Sequence, residues 1–110
     1  MPKLPYILHI TERALWDAAR GRGTYEMSTR GRTLREVGFV HFSSRAQLPR
    51  VAAFLYGSYD CPEDLVVLVV DPALLGVPVR WEAVEPDGEE FPHVYGPVPV
   101  DAVVDVEPWG

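Results

Sequence analysis

Apolar residues of this chain fall into short runs separated by proline, glycine and polar residues. Tyr6–Ile10 and Leu65–Val70 consist of aliphatic, β-branched and aromatic residues, which are typical of β-strands. Leu65–Val70 is continuously apolar and too short for an amphipathic helix. We therefore expect it to be a central strand buried on both faces.

A helix is predicted directly after the first strand. Thr11 is a good N-cap, and the pattern continues to about Arg20, close to Gly21 and Gly23, either of which would end a helix. The side chains expected to face the core are Ala14, Leu15 and Ala18, with Trp16 partly off that stripe.

The same order of strand and helix recurs in the middle of the chain. Phe39–Ser43 is predicted to be a strand, and Ser44 with Gln47 has the spacing of a capping box. Pro49 would fall in the second turn of that helix, so its true start is expected later than the cap suggests. Residues 21–36 show no clear period and predict a loop.

Strands dominate the second half of the chain. Val79–Ala83 alternates with period two, Ala102–Val106 predicts a final strand, and an acidic segment, Glu85–Pro99, lies between them. Helices in the first half and strands in the second favour an α+β fold over a regular βαβ repeat. We expect residues 1–110 to form one domain with a mostly antiparallel sheet.

Charge is distributed unevenly along the chain. Residues 1–50 carry +5 and residues 51–110 carry −11, which gives a net charge of −6. A negative chain argues against general nucleic-acid binding, and the two halves should attract each other. Five arginines could form a positive surface for a phosphate-bearing ligand, or a solvated loop: Arg20, Arg22, Arg30, Arg32 and Arg35.

The cysteine content and the length of the apolar runs bear on the cellular location. Cys61 is the single cysteine and has no neighbour with metal-ligand spacing, which favours a reducing cytoplasm. No apolar run approaches the ~20 residues of a membrane-spanning helix, so no membrane association is expected.

All three histidines lie on predicted strands: His9, His41 and His93. Any one of them alone could be a hydrogen-bonded structural residue. Together they predict one shared cleft, where His41, Phe39 and Ser43 would form a wall for a sugar or a flat heterocycle. Three imidazoles could instead bind zinc.

Two further groups could take part in chemistry near this cleft. Arg80 and Glu82 share one face of a strand, either as an oriented acid and ligand anchor or as a structural ion pair. His93 lies between Pro92 and Pro97, which set the backbone geometry, and its ring is expected to be free to accept or donate a proton.

The chain resembles the DUF952 family, which is defined by unknown function. The residues that carry the resemblance are Tyr6, His9–Thr11, Trp16, Gly38–Ser43, Leu68–Asp71, Arg80–Glu82 and Phe91–Pro97. The family is grouped with the ADP-ribosyltransferase-like superfamily, whose better-known members bind NAD in the cleft of a split antiparallel sheet. The resemblance therefore implies that fold, with NAD as cofactor.

The resemblance also implies roles for individual residues. His9 would bind the ribose next to nicotinamide, and His93 or Glu82 would occupy the region of the catalytic glutamate of the superfamily. The remaining nucleotide-contacting residues would be Thr11, Phe39, His41, Ser43 and Tyr95, with Arg30 and Arg32 on the pyrophosphate.

These observations leave three functions open. The first is a domain that binds NAD or a related nucleotide and transfers or cleaves ADP-ribose, with an unidentified acceptor. The second is a non-catalytic module that binds a small ligand or a metal through the histidines. The third is a structural domain with scattered histidines. The sequence does not determine the oligomeric state.

Overall fold

The computed structural model describes residues 6–83 and 85–109, which form ten strands, three α-helices and three short 3₁₀ turns. The strands are β1 (Ile7–Glu12), β2 (Thr24–Tyr25), β3 (Met27–Thr29), β4 (Arg32–Thr33), β5 (Val40–His41), β6 (Leu65–Val70), β7 (Val79–Ala83), β8 (Glu90–Val94), β9 (Val98–Pro99) and β10 (Val103–Pro108). The helices are α1 (Arg13–Arg22), α2 (Leu34–Val37) and α3 (Leu48–Tyr56), and the 3₁₀ turns are Pro62–Asp64, Pro72–Leu74 and Val100–Ala102. The α+β prediction is confirmed.

The continuously apolar strand β6 lies at the centre of a three-stranded antiparallel sheet. Its neighbours are β1 and β10, and all six of its residues are buried. Val66, Leu68 and Val70 pack in one hydrophobic cluster, whereas Val67 and Val69 pack in another on the opposite face. Because both faces are covered, the strand needs no polar alternation, and the prediction of a central strand is confirmed.

A second three-stranded antiparallel sheet has β8 at its centre, between β5 and β7. It joins the first sheet where Leu8 and Ser43 exchange two backbone hydrogen bonds, of 2.8 and 2.7 Å. The register of β5 and β8 pairs His41 with His93. The split between the sheets therefore lies beside these two histidines.

The first helix differs in phase from the prediction. Thr11 is buried within β1 instead of capping α1, and Glu12 occupies the N-cap position without a side-chain hydrogen bond. The helix consequently buries Trp16 and Ala19. Of the predicted stripe, Leu15 packs against the core, whereas Ala14 and Ala18 are exposed and were wrongly placed there. The strand continues to Glu12 because β1 pairs with β6 along its whole length.

Residues 21–36 are ordered instead of forming the predicted loop. β2 pairs with β9, and β3 pairs with β4 in a short hairpin. Thr33 and Glu36 form a complete capping box at the start of α2. The strands are too short to show periodicity, and their order comes from distant contacts such as the fully buried Tyr25.

The third helix begins later than its cap signal, as predicted. Ser44 donates its backbone N–H to Gln47 Oε1 at 2.9 Å, and the Gln47 backbone N–H bonds Ser44 Oγ at 3.1 Å. α3 itself starts at Leu48, which places Pro49 in its first turn, where the missing N–H costs nothing. Leu48, Ala52 and Tyr56 are buried in the core.

Two exposed ion pairs join the basic half of the chain to the acidic half. Arg45 contacts Glu107 at 2.8 Å, and Arg50 contacts Glu89 at 2.7 Å. These contacts agree with the predicted attraction, although exposed pairs contribute only about 0–1 kcal/mol each. Within residues 6–83 and 85–109, no helix has the length and apolar character needed to cross a membrane.

Two glycines at the end of α1 should respond oppositely to alanine. Gly21 lies inside the helix with open space around its Cα, so Gly21→Ala should stabilise the fold by about 0.5–1 kcal/mol. Gly23 has a φ of 94°, so Gly23→Ala should cost about 1–2 kcal/mol. Urea unfolding measures both values, and a change of the same sign in both variants would contradict the helix end described here.

Candidate functional site

A cavity of about 500 Å³ opens over the second sheet and is walled by α3. Its lining is mainly apolar and includes Phe39 and Phe91 beside the histidines, and Phe54 and Leu55 from the helix. Phe54 is 87% exposed at the mouth of the cavity. Aromatic walls of this kind suit a flat ring.

His41 and His93 stand side by side in this cavity. The pairing of β5 with β8 places them directly opposite each other, and their ring centroids lie 5.4 Å apart. The His93 ring stacks on Phe39, with a centroid distance of 3.9 Å and an angle of 17°. This packing buries the His93 ring.

One nitrogen of His93 is fixed and the other is unpartnered. Nδ1 lies 2.9 Å from Glu82 Oε1, whereas Nε2 is buried without a hydrogen-bond partner among the described residues. A carboxylate only accepts, so Nδ1 carries the proton. In the neutral ring Nε2 then keeps a lone pair. The Glu82–His93 pair therefore holds a buried proton acceptor on a side chain that lines the cavity.

Glu82 is held as an anion by two donors. The Tyr95 hydroxyl donates to the same carboxylate oxygen as His93. The hydrogen bond from Tyr95, followed by that from His93, lowers the pKa of Glu82. The same contact with Glu82 raises the pKa of Tyr95, whose ring lies 5.4 Å beneath the guanidinium of Arg80. Glu82 thus stays charged while it orients the imidazole.

The second imidazole of the cavity, His41, is electrically neutral. Burial, followed by repulsion from His93, lowers its pKa to about 4. Its ring lies 5.2 Å from that of Phe91. At neutral pH it therefore offers one donor and one acceptor instead of a positive charge.

His9 lies outside this cavity and uses both ring nitrogens within the protein. Nδ1 donates to the His41 carbonyl at 2.6 Å, and Nε2 lies 2.7 Å from the Tyr25 hydroxyl, which also contacts Thr11 Oγ1 at 2.7 Å. Burial lowers the pKa of His9 to about 4. Burial also raises the pKa of Tyr25. This neutral network joins β1 to β5 and leaves no nitrogen of His9 for a ligand.

The structure brings together only some of the residues selected from the sequence. Those that border the cavity are Phe39, His41, His93 and Arg32, with Glu82 and Tyr95 behind His93. Those that do not border it are His9, Thr11, Ser43 and Arg30. Ser43 is buried because the chain turns from β5 toward Leu8, so the alternation that placed it beside His41 ends.

Arg30 has a structural environment of its own. Its guanidinium lies 5.0 and 5.2 Å from the rings of Tyr56 and Tyr59, and it donates to the Leu55 carbonyl at 2.6 Å. A cation held over two aromatic rings and a helix carbonyl stabilises the end of α3. Arg32 is therefore the arginine of the predicted pair that borders the cavity.

Sequence reasoning missed most of the cavity lining, including Ser28, Arg50 and Phe54. The Ser28 hydroxyl is buried and, like His93 Nε2, has no hydrogen-bond partner within the described chain. Phe54 carried a usable signal, because it lies off the apolar stripe of α3 and an exposed phenylalanine on a helix suggests a binding surface. Ser28 had no such signal, since β3 is only three residues long.

The geometry does not assemble a zinc site from the three histidines, because both nitrogens of His9 already bond within the protein. Over residues 6–83 and 85–109, no group of three or more His, Cys, Asp or Glu side chains is arranged to hold a metal ion.

Comparisons with known proteins identify one family and one solved protein. The family model for proteins of unknown function designated DUF952 matches residues 10–106. The crystal structure of protein CC0527 from Caulobacter crescentus has 34% identity and a TM-score of 0.75, and the match covers 94% of this chain and 84% of that one. A crystal structure of a double mutant of CC0527 has 33% identity, a TM-score of 0.75 and the same coverage.

The solution structure of CC0527 agrees, with 34% identity, a TM-score of 0.73 and coverage of 96% of this chain and 84% of that one. No curated protein matches the chain. These comparisons do not reach the ADP-ribosyltransferase-like superfamily, and that part of the resemblance stays a prediction.

The free energy of unfolding should decrease as the pH is lowered, because the His9 and His41 rings are held neutral in the folded chain. The pKa of His9 and of His41 is about 4 in the folded chain, below the ordinary value near 6.5. Between these values the unfolded chain binds protons that the folded chain does not. For each ring, the free energy of unfolding should therefore fall by up to about 1.4 kcal/mol for every unit by which the pH is lowered.

Urea unfolding between about pH 7 and pH 5 measures this dependence. His41→Gln should have a clearly smaller slope over that range than the unmodified chain, because the substituted side chain does not titrate. An unchanged slope in that variant would show that His41 is not held neutral.

Proposed function

Because the chain belongs to the DUF952 family, whose function is unknown, we propose from its own cavity that it binds NAD or a related nucleotide and transfers or cleaves ADP-ribose. The single observation that carries the proposal is the Glu82–His93 pair. Its buried Nε2 is unpartnered among the described residues and belongs to a side chain that lines an aromatic cavity.

The shape and charge of the cavity support a nucleotide. Phe39 and Phe91 would pack against a flat nicotinamide or adenine ring. Arg32 and Arg50 lie at the exposed rim. The Arg32 guanidinium would contact phosphate oxygens, whereas that of Arg50 is paired with Glu89. An aromatic interior with cations at its mouth matches a ligand that joins a ring to a pyrophosphate.

The chemistry requires one proton acceptor and little else. Nicotinamide leaves C1′ of its ribose with the electron pair of the glycosidic bond, and an oxygen of water or of an acceptor hydroxyl forms the new bond to C1′. The proton of that oxygen passes to His93 Nε2, and Glu82 stabilises the imidazolium that results. His93 would be the catalytic base and Glu82 its orienting carboxylate.

A second candidate is a non-catalytic binding module for the same class of ligand. Two unpartnered polar atoms, His93 Nε2 and Ser28 Oγ, are both buried among the described residues, which favours this candidate. A catalytic base must be reached by the oxygen whose proton it removes, and burial of Nε2 hinders that approach. In such a module these groups would hydrogen-bond the ligand and nothing would react. Release of nicotinamide from NAD distinguishes the two functions.

His93→Gln should abolish nicotinamide release while leaving the Kd for NAD within about threefold, because glutamine retains an amide that hydrogen-bonds Glu82. Glu82→Gln should lower the rate on the order of 10²- to 10⁴-fold, since the imidazole loses its orienting anion. Calorimetric binding and chromatographic detection of nicotinamide measure the two effects, with thermal melting to confirm folding. If the His93→Gln variant released nicotinamide at an unchanged rate, His93 would not be the catalytic base. If the unmodified chain bound NAD without releasing nicotinamide, the binding module would be favoured.

Arg32→Gln should weaken binding of NAD about tenfold at low salt, because a partly exposed charge-assisted bond to phosphate is lost. The difference should shrink as salt is raised. Binding of nicotinamide alone should not change, since it carries no phosphate. Arg35→Gln is the matched control, because Arg35 lies on α2 outside the cavity. Equal losses in both variants would indicate a general charge effect instead of a phosphate site.

A further inference from the structure

The outer edge of β7 is an open sheet edge. β7 pairs with β8 and, among the described residues, with no other strand. It carries Trp81 at its centre, and this side chain is 48% exposed. Natural proteins usually protect an open edge with charge, proline or a covering segment, and an exposed indole at the middle of one indicates a contact surface.

The backbone of β7 has hydrogen-bonding groups available at defined residues. Tyr95 donates its backbone N–H to the Pro78 carbonyl at 2.9 Å, and the register of the two strands pairs Arg80 with His93 and Glu82 with Phe91. In an antiparallel ladder the residues that bond inward alternate with those that bond outward. Val79, Trp81 and Ala83 therefore direct their N–H and C=O groups away from β8.

The sequence of this edge is complementary to itself. We propose that two copies of this chain associate by antiparallel pairing of their β7 strands about a twofold axis at Trp81. This register places each outward-bonding residue opposite another, Trp81 opposite Trp81 and Val79 opposite Ala83. It also places Arg80 of each copy opposite Glu82 of the other.

The charges on this strand favour this register. Glu82 Oε1 receives both the His93 and the Tyr95 donors, and Oε2 has no hydrogen-bond donor among the described residues. Arg80 lies over Tyr95 and has no carboxylate within ion-pairing distance in the described part of the chain. Each group would therefore gain its partner from the second copy.

The pairing would connect assembly to the cavity. Arg80 of the partner copy would contact the carboxylate that orients His93, so each cavity would depend on the other copy for one contact behind its imidazole. The two indoles would cover each other on the opposite face of the merged sheet. Association through β7 does not rest on the function proposed above, because it follows from the strand edge alone.

Sedimentation of the full-length chain across a range of concentrations tests the association, with twice the monomer mass expected at high concentration. Arg80→Glu places like charges opposite each other at both ends of the pairing and should raise the dimer dissociation constant about a hundredfold or more. Glu82→Arg should do the same. A mixture of the two variants should form a heterodimer, because every facing pair is again of opposite charge.

Trp109→Ala is the matched control, because it removes an exposed indole from a different strand end. It should leave the dimer unchanged, whereas Trp81→Lys should weaken it while keeping a long apolar stem on the strand. Circular dichroism of each variant confirms folding. A chain that stays monomeric at high concentration would overturn the proposal. So would a dimer that tolerates Arg80→Glu, or two variants that fail to associate when mixed.

Discussion

Two β-sheets meet where β1 runs beside the end of β5, and the buried His9 ring supplies the side-chain bond at this junction. Its Nδ1 proton is donated to the His41 carbonyl, next to the two backbone bonds between Leu8 and Ser43. The ring must be neutral, because its surroundings exclude the water that would solvate a charge. This bond fixes the backbone of His41, and the cavity geometry follows from it.

The cavity separates neutral and charged groups by depth. His41 is neutral and lies among aromatic rings, while Arg32 and Arg50 are exposed at the rim. Glu82 bonds Nδ1 of His93 and carries the charge next to that imidazole. An apolar interior strengthens such an orienting contact because there is little water to screen it. The arrangement favours a ligand whose ring enters first and whose charged part stays outside.

Glu82 connects two properties of the molecule that are usually discussed separately. One of its oxygens holds His93 and Tyr95, and the residue itself lies on the open edge strand of the sheet. A change at that edge would therefore alter the support of the imidazole as well as the surface for association. The proposed roles of Glu82 in orienting His93 and in association are separated by measuring turnover and mass on the same variant.

The sequence by itself determined the elements that depend on local pattern. The central strand Leu65–Val70 was predictable because six consecutive apolar residues have no polar face to expose, and the late start of α3 was predictable from Pro49. The sequence also predicted that the three histidines share one cleft, and the structure brings only His41 and His93 together there.

Only the tertiary structure decided which polar residues face the cavity. His9 and His41 look equivalent in sequence, yet one is enclosed by Tyr25 and the other lines the cavity, because that depends on which element packs over each face. Order in residues 21–36 likewise comes from strands paired with distant partners, which a local pattern does not encode. Local propensity sets the elements, whereas the exposure of a side chain is set by contacts between residues far apart in the chain.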